Sequence, residues 1–335
     1  MTKARTHILT TIVLLSMGLV SLLGQQHPFY SQYMLDKFLV NPAIAGANGI
    51  TSINLISRQQ YVGFENPPQT FALSAQSRLI DDSYILKRLN LRKKNKKKSR
   101  SGRVGIGGSI FTDRNGIVTR TGFQGTYAYH VNISNLWQLS GGLSILGYQF
   151  KIDDSESLYA NLGDPLLSVS RKSFFVPDAS VGVFITNGDI YGGLTMTDIL
   201  GSSLKIGKEI SIDYRTQRKY NLIAGYKFDI SSKFALEPSV LLQGTRTNFS
   251  MDLNARAFFM ENYWAGISYR SNNSIVVMLG GRIDRFFLGY AYDIDMGLVR
   301  SYSAGSHEVI IGLRLGENST RRFRWFKQSE RNYDI

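Results

Sequence analysis

The sequence predicts an all-β fold: a transmembrane outer-membrane β-barrel of about 14 antiparallel strands with a short N-terminal plug-like segment. Three observations predict it. Near the C-terminus, apolar and polar residues alternate with a period of two. From Phe286 to Asp295, one face carries Phe286, Leu288, Tyr290, Tyr292 and Ile294, and the other Phe287, Gly289, Ala291, Asp293 and Asp295. Successive strand side chains point to opposite faces, so such a ribbon is greasy on one side and polar on the other. A polar lumen and a lipid-facing wall need that pattern. Secondly, beyond the N-terminus no apolar run reaches the roughly 20 residues of a membrane-spanning helix. Thirdly, tight turns alternate with connections that include long ones, as in barrels with short periplasmic turns and long extracellular loops.

Taken in order, residues 1–24 read as a secretory signal peptide. Lys3 and Arg5 precede the apolar stretch from Ile8 to Leu23, and cleavage is expected after Gly24. The 335-residue chain has a formal net charge of +14, and loss of Lys3 and Arg5 leaves about +12. In an exported chain that excess is expected to meet outer-membrane lipid, lipopolysaccharide or acidic proteins, and not nucleic acid. The sequence contains no cysteine, which excludes disulfides, thiolate metal sites and a lipoprotein anchor.

Residues 25–50 form the plug or lead-in segment. A short helix is expected from Ser31 to Val40, stopped by Asn41-Pro42, because a residue before proline is pushed out of the α region. Tyr30, Gln32, Tyr33 and Asn41 are aromatic or hydrogen-bonding residues that no wall strand requires. They are the candidate partner-binding surface.

The barrel is expected over 51–315, with strands at 51–60, 69–79, 103–112, 121–131, 136–150, 178–187 and 190–198. The second half adds 219–230, 233–245, 251–260, 263–271, 274–283, 286–294 and 306–315. Ser231-Ser232, Glu261-Asn262 and Asp284-Arg285 are among the tight turns, whereas 151–177, 199–218 and 295–305 are long. One connection breaks the rule: on the short-turn side lies a lysine-rich insert, 87–103. Its Lys93, Lys94, Lys96, Lys97, Lys98 and Arg100 make either a solvated loop or a basic docking loop for an acidic periplasmic partner or for inner-leaflet headgroups. Residues 316–335 are a basic tail on that same side.

Parity also assigns the second-half lumen. Leu222, Ala224, Leu253 and Ala255 face lipid, while Asn221, Asp252, Asn254 and Glu237 face inward. Arg256, Arg270, Arg282, Asp293, Glu308 and Arg314 complete a mixed-charge interior. Unpaired buried ions cost several kcal/mol, so these residues are expected to form a salt-bridge network that fills the lumen. Catalytic chemistry finds no support. The mature chain keeps only His27, His130 and His307, and adjacent Ser306 and His307 point to opposite faces of a strand. No zinc-protease motif, phosphate loop or nucleophile elbow is present, and no metal or cofactor is expected.

Five segments carry a resemblance: FYSQYMLDKFLVNPAIAG at 29–46, YVGFENPPQT at 61–70, ISYR at 267–270, GYAYD at 289–293 and GSHEV at 305–309. Together, and in this order, they resemble the PorP/SprF family of outer-membrane proteins of the Bacteroidota type IX secretion and gliding machinery. Tyr61 stands where that family usually has tryptophan, and the lysine-rich insert is longer and more basic than its pattern. The resemblance implies a non-catalytic 14-stranded barrel whose N-terminal segment lies near the lumen, similar to fatty-acid-channel barrels. It implies as partners the C-terminal domains of secreted cargo proteins such as adhesins, and periplasmic components of the same system. A solute or lipid channel is the alternative function.

Overall fold

The computed structural model describes residues 30–79, 103–116, 118–134, 136–152, 173–201, 203–206, 212–215, 217–271, 273–297, 300 and 302–315. The segments expected as signal peptide and basic tail, and the six named cations of the lysine-rich insert, lie outside them.

The chain closes a 14-strand antiparallel barrel. Its first seven strands are β1 Thr51–Gln59, β2 Gln69–Leu79, β3 Val104–Asn115, β4 Val118–Asn132, β5 Gln138–Ile152, β6 Ser173–Thr186 and β7 Ile190–Thr197. Two short strands, β8 Ser203–Ile206 and β9 Ile212–Arg215, pair only with each other, as a hairpin within the connection expected to be a plain loop at 199–218. The wall resumes with β10 Lys219–Tyr226, and β11 Phe228–Asp229 continues it in the same register against β12 Phe234–Gly244. The remaining strands are β13 Phe249–Phe259, β14 Tyr263–Arg270, β15 Ser274–Ile283, β16 Phe286–Asp295 and β17 Ser306–Leu315. Closure comes from β1 against β17, with Thr51 opposite Leu315 and Arg58 opposite Glu308. A closed barrel leaves no sheet edge unpaired, which is what hydrocarbon demands of a spanning sheet.

Strand parity holds where the sequence assigned it. On β16, Phe286 and Leu288 are exposed at 60% and 54%, whereas Phe287 and Ala291 are buried. Leu222 and Leu253 point outward, and Asn221, Asp252, Asn254 and Arg256 point inward. Aromatic rings collect at the short-turn rim, where Phe234 packs at a tilt against Phe259 with centroids 5.0 Å apart and Tyr226 meets Phe228 edge-on at 4.0 Å. Amphipathic rings belong at such an interface. The connections are less lopsided than expected, because Gly116 at φ 57° and Asn273 at φ 62° help make tight turns on the long-loop side as well. Replacing Leu288 by arginine puts a charge on the lipid face at the third residue of β16, at a cost between about 0–1 kcal/mol, the interface value, and about 2–4 kcal/mol, that of the midplane. Leu288→Arg is expected to lose the heat-modifiable folded band that Leu288→Phe retains.

The N-terminal segment departs from expectation. No α-helix runs from Ser31 to Val40; the chain makes turns and then two short 3-10 helices, Lys37–Leu39 and Pro42–Ile44. Asn41-Pro42 does not stop a helix but starts one. Asn41 is extended at φ −142° and its side chain accepts a hydrogen bond from the Ala43 N–H at 2.9 Å, while Pro42 takes the first helical position. Local helix propensity loses here because the segment lies inside the barrel, where the wall supplies its hydrogen-bond partners. Tyr33, Met34, Val40, Ala43 and Ile44 pack with Phe184, Tyr191, Ile223, Leu241, Val276 and Met278 of the wall. The hydrophobic core of this barrel is therefore in its lumen, around the plug.

Candidate functional site

The site is the plug and the polar wall that grips it. At the upper end, Arg58, Asp293, Glu308 and Arg270 all lie within three residues of the long-loop ends of their strands. The Arg58 guanidinium reaches Asp293 at 2.6 Å and Glu308 at 3.2 Å. Arg270 binds Asp252 at 2.9 Å and approaches Asp293 at 3.5 Å. Into this ring the plug inserts its first turn. The Ser31 and Gln32 backbone N–H groups donate to the two Glu308 carboxylate oxygens at 2.7 and 2.8 Å. The Ser31 hydroxyl donates to Asp293 and accepts from Arg58. Every one of these side chains is at least nine-tenths buried. Charge-assisted bonds in such surroundings are the strong ones, and each partner left alone is costly.

Lower down, Lys37 donates to Glu237 at 3.3 Å, and Arg256 reaches the other Glu237 oxygen at 2.8 Å. The Tyr191 hydroxyl also donates to Glu237, at 3.0 Å, and the Lys37 ammonium sits 3.5 Å from the Tyr191 ring centroid. Burial pulls the Lys37 amine below its usual value, and Glu237 opposes that pull. Burial likewise pushes the Asp36 carboxyl up, opposed chiefly by the Ser74 hydroxyl that donates to it. Between the clusters, Asn254 donates to the Tyr33 hydroxyl at 2.7 Å.

The segment then crosses the lumen towards β1. Asn41 donates to the Val183 carbonyl at 3.0 Å, the His130 ring meets the Ala45 carbonyl at 2.9 Å, and Gln76 accepts from the Gly46 N–H at 3.1 Å. Glycines of the wall clear its path. A Cβ on Gly105 would overlap the Ala45 carbonyl, one on Gly142 the Ala43 backbone, and one on Gly182 the Asn41 side chain. None of these three has a positive φ, so space and not backbone conformation requires them.

The expected site residues are thus redistributed. Tyr33, Gln32 and Asn41 are at most 2% exposed and Tyr30 is half-buried. The partner surface expected at these four residues is not on the outside: they are wall contacts of the plug. The expected charge network divides in two, with Arg270, Asp293 and Glu308 in the upper cluster and Arg256 in the lower. Arg282 and Arg314 stand at the short-turn rim instead, where Arg282 donates to the Asn262 side chain at 3.4 Å and Arg314 lies 4.8 Å from the Phe287 ring. Arg58 and Ser31 were not singled out from the sequence. Parity along β1 places Arg58 on the lumen face with Asn54 and Ile56, and that signal was available.

The plug partitions the interior. Above and to one side, a cavity of about 100 Å³ lies against Tyr30, Tyr33, Phe111, Arg120 and Tyr148. Below, a cavity of about 160 Å³ lies against Lys37, Arg256, Trp264 and Phe287. No described plug residue lines both.

Solved structures similar to this chain include outer-membrane proteins. The Ralstonia pickettii toluene transporter TbuX aligns at a TM-score of 0.48 and 10% identity, over 83% of this chain and 92% of that one. The Acinetobacter baumannii outer membrane protein Omp33 gives 0.42 and 7%, over 80% and 99%. An outer membrane channel from Pseudomonas putida F1 gives 0.41 and 7%, over 80% and 96%. No curated protein matches the chain. A model of the type IX secretion system membrane protein PorP/SprF matches residues 22–313, which span the plug and nearly all of the barrel. The chain therefore belongs to the PorP/SprF family of type IX secretion system membrane proteins and is a β-barrel of the bacterial outer membrane.

Proposed function

We propose that this barrel is a non-enzymatic part of the secretion machinery that supports export or surface attachment of specific secreted proteins, adhesins among them, through protein contacts. The observation that carries this reading is the occupied lumen. A barrel whose interior is filled by its own N-terminal segment, tied to the wall by two buried ion clusters, is suited to holding a partner more than to passing solutes. Cargo would then meet the long-loop rim, where Phe64 and Tyr302 are exposed at 43% and 77%. Exposed aromatics commonly anchor interfaces. The lysine-rich insert on the opposite side is the counterpart surface for periplasmic components of the system, and the basic excess suits lipopolysaccharide or acidic proteins.

The rival reading is a solute or lipid channel, favoured by the two lumen cavities. The readings separate by pairing two measurements. In cells lacking the chain, particular secreted proteins should vanish from the surface, and cross-linking of the intact barrel should recover one of them. In planar bilayers the purified barrel should show little steady conductance. A large steady conductance together with an unchanged set of surface proteins sinks the proposal in favour of the channel.

A further inference from the structure

The lower cavity is not explained by anything the plug needs. It measures about 160 Å³ and is bounded by the plug and by wall residues of β1, β2, β6, β7 and β12–β17. Its mouth is at the short-turn end, where Asp189 and Glu261 belong to the turns themselves. Three properties of the lining act together. Five cationic side chains stand against three acidic ones, so the chamber favours an anion. Four of those cations rest on aromatic faces: Lys37 lies 3.5 Å from the Tyr191 ring, Lys227 and Arg256 4.7 Å from the Phe258 ring, and Arg314 4.8 Å from Phe287. Finally, two donors of lining side chains, the Trp264 Nε1–H and the Arg256 Nε–H, find no acceptor among the described residues, and both side chains are buried. Buried donors in folded proteins are rarely left so.

We infer that this chamber is a binding site for a small apolar carboxylate entering from the short-turn side. Its body packs on Trp264, Phe258 and Phe287, and its carboxylate is drawn to Arg256, Arg314 and Lys37. An apolar cavity of roughly 150 Å³ admits benzene, so the body is about one ring or a short alkyl chain. Such a group occurs on a free aromatic or aliphatic acid and on the C-terminal aromatic residue of a peptide. The inference does not depend on the export role, since the chamber lies at the end opposite the proposed cargo rim.

The test uses the full barrel in detergent with Trp137→Phe and Trp325→Phe, so that Trp264 is the sole indole. Tryptophan emission is followed against 4-phenylbutyrate and its amide, and against a short peptide ending in phenylalanine as the free acid and as the amide. The acid should saturate a change in emission with a Kd on the order of 1 mM or below, and its amide should bind at least about tenfold more weakly. Arg256→Lys keeps a cation for Glu237 but removes the Nε donor, and should weaken the acid about tenfold. Tighter binding of the free acid identifies a small-molecule source, and tighter binding of the peptide acid a polypeptide one. Equal binding of acid and amide, or no response to either acid, overturns the inference. The acid–amide comparison leaves the chamber's lining unaltered, so it decides even where Arg256→Lys fails to fold.

Discussion

Arg58→Met should destabilise the barrel more than the loss of any other lumen cation. Among the described residues Arg58 alone bridges Asp293 and Glu308, and it also donates to Ser31 of the plug. Methionine fills much of the same volume but leaves Glu308 and Asp293 buried beside each other without that cation. Removing one partner of a buried ion pair costs about 3–5 kcal/mol. The heat-modifiable band of Arg58→Met should therefore unfold at a distinctly lower temperature than wild type. The triple variant with Glu308→Gln and Asp293→Asn removes the uncompensated charges and should recover part of the loss. If Arg58→Met melts at the wild-type temperature, the upper cluster is not what holds the plug to the wall.

Gly142→Ala combined with Gly105→Ala should leave the wall closed and drive the plug out. Both glycines lie within strands, and alanine costs nothing in strand pairing. Each new methyl group, however, meets backbone of the plug, at Ala43 and Ala45, which cannot swing aside as a side chain can. The expected product is a folded, heat-modifiable barrel in which trypsin cleaves after Lys37 and which shows steady conductance in planar bilayers. Wild type should resist cleavage there, because Phe38 is fully buried and the Lys37 side chain is 17% exposed. A double variant that stays protease-resistant and closed would show that the plug can reroute, and the glycine lane would lose its meaning.

The wall was legible in the sequence because its rule is local. Whether Leu288 faces lipid is decided by its neighbours on β16, and a period of two leaves no other choice once the ribbon is a strand. Ion pairs between strands joined by a short turn were within the same reach. Glu237 stands opposite Arg256 across β12 and β13, and their pairing follows from the turn that joins those strands.

A plug was expected at 25–50, but its conformation and its contacts were not legible, and the reason is physical. The stretch from Ser31 to Val40 has a local pattern that reads as a helix, yet its backbone bonds go to Glu308 and its side chains to Ser74, Glu237 and Asn254. Tyr33 and Asn41 looked like an interface because aromatic and amide groups without a strand to serve seem free, whereas inside the barrel they are the polar and apolar halves of its core. Arg58 shows the same divide within one residue. Parity along β1 puts it on the lumen face, but its partner is fixed only when the first strand closes on the last and sets it opposite Glu308. Local alternation was thus enough for a closed wall with a greasy outside and a charged inside. Which of those charges meet across the seam between the first and last strands emerged from the fold alone, because such contacts join residues some 250 positions apart.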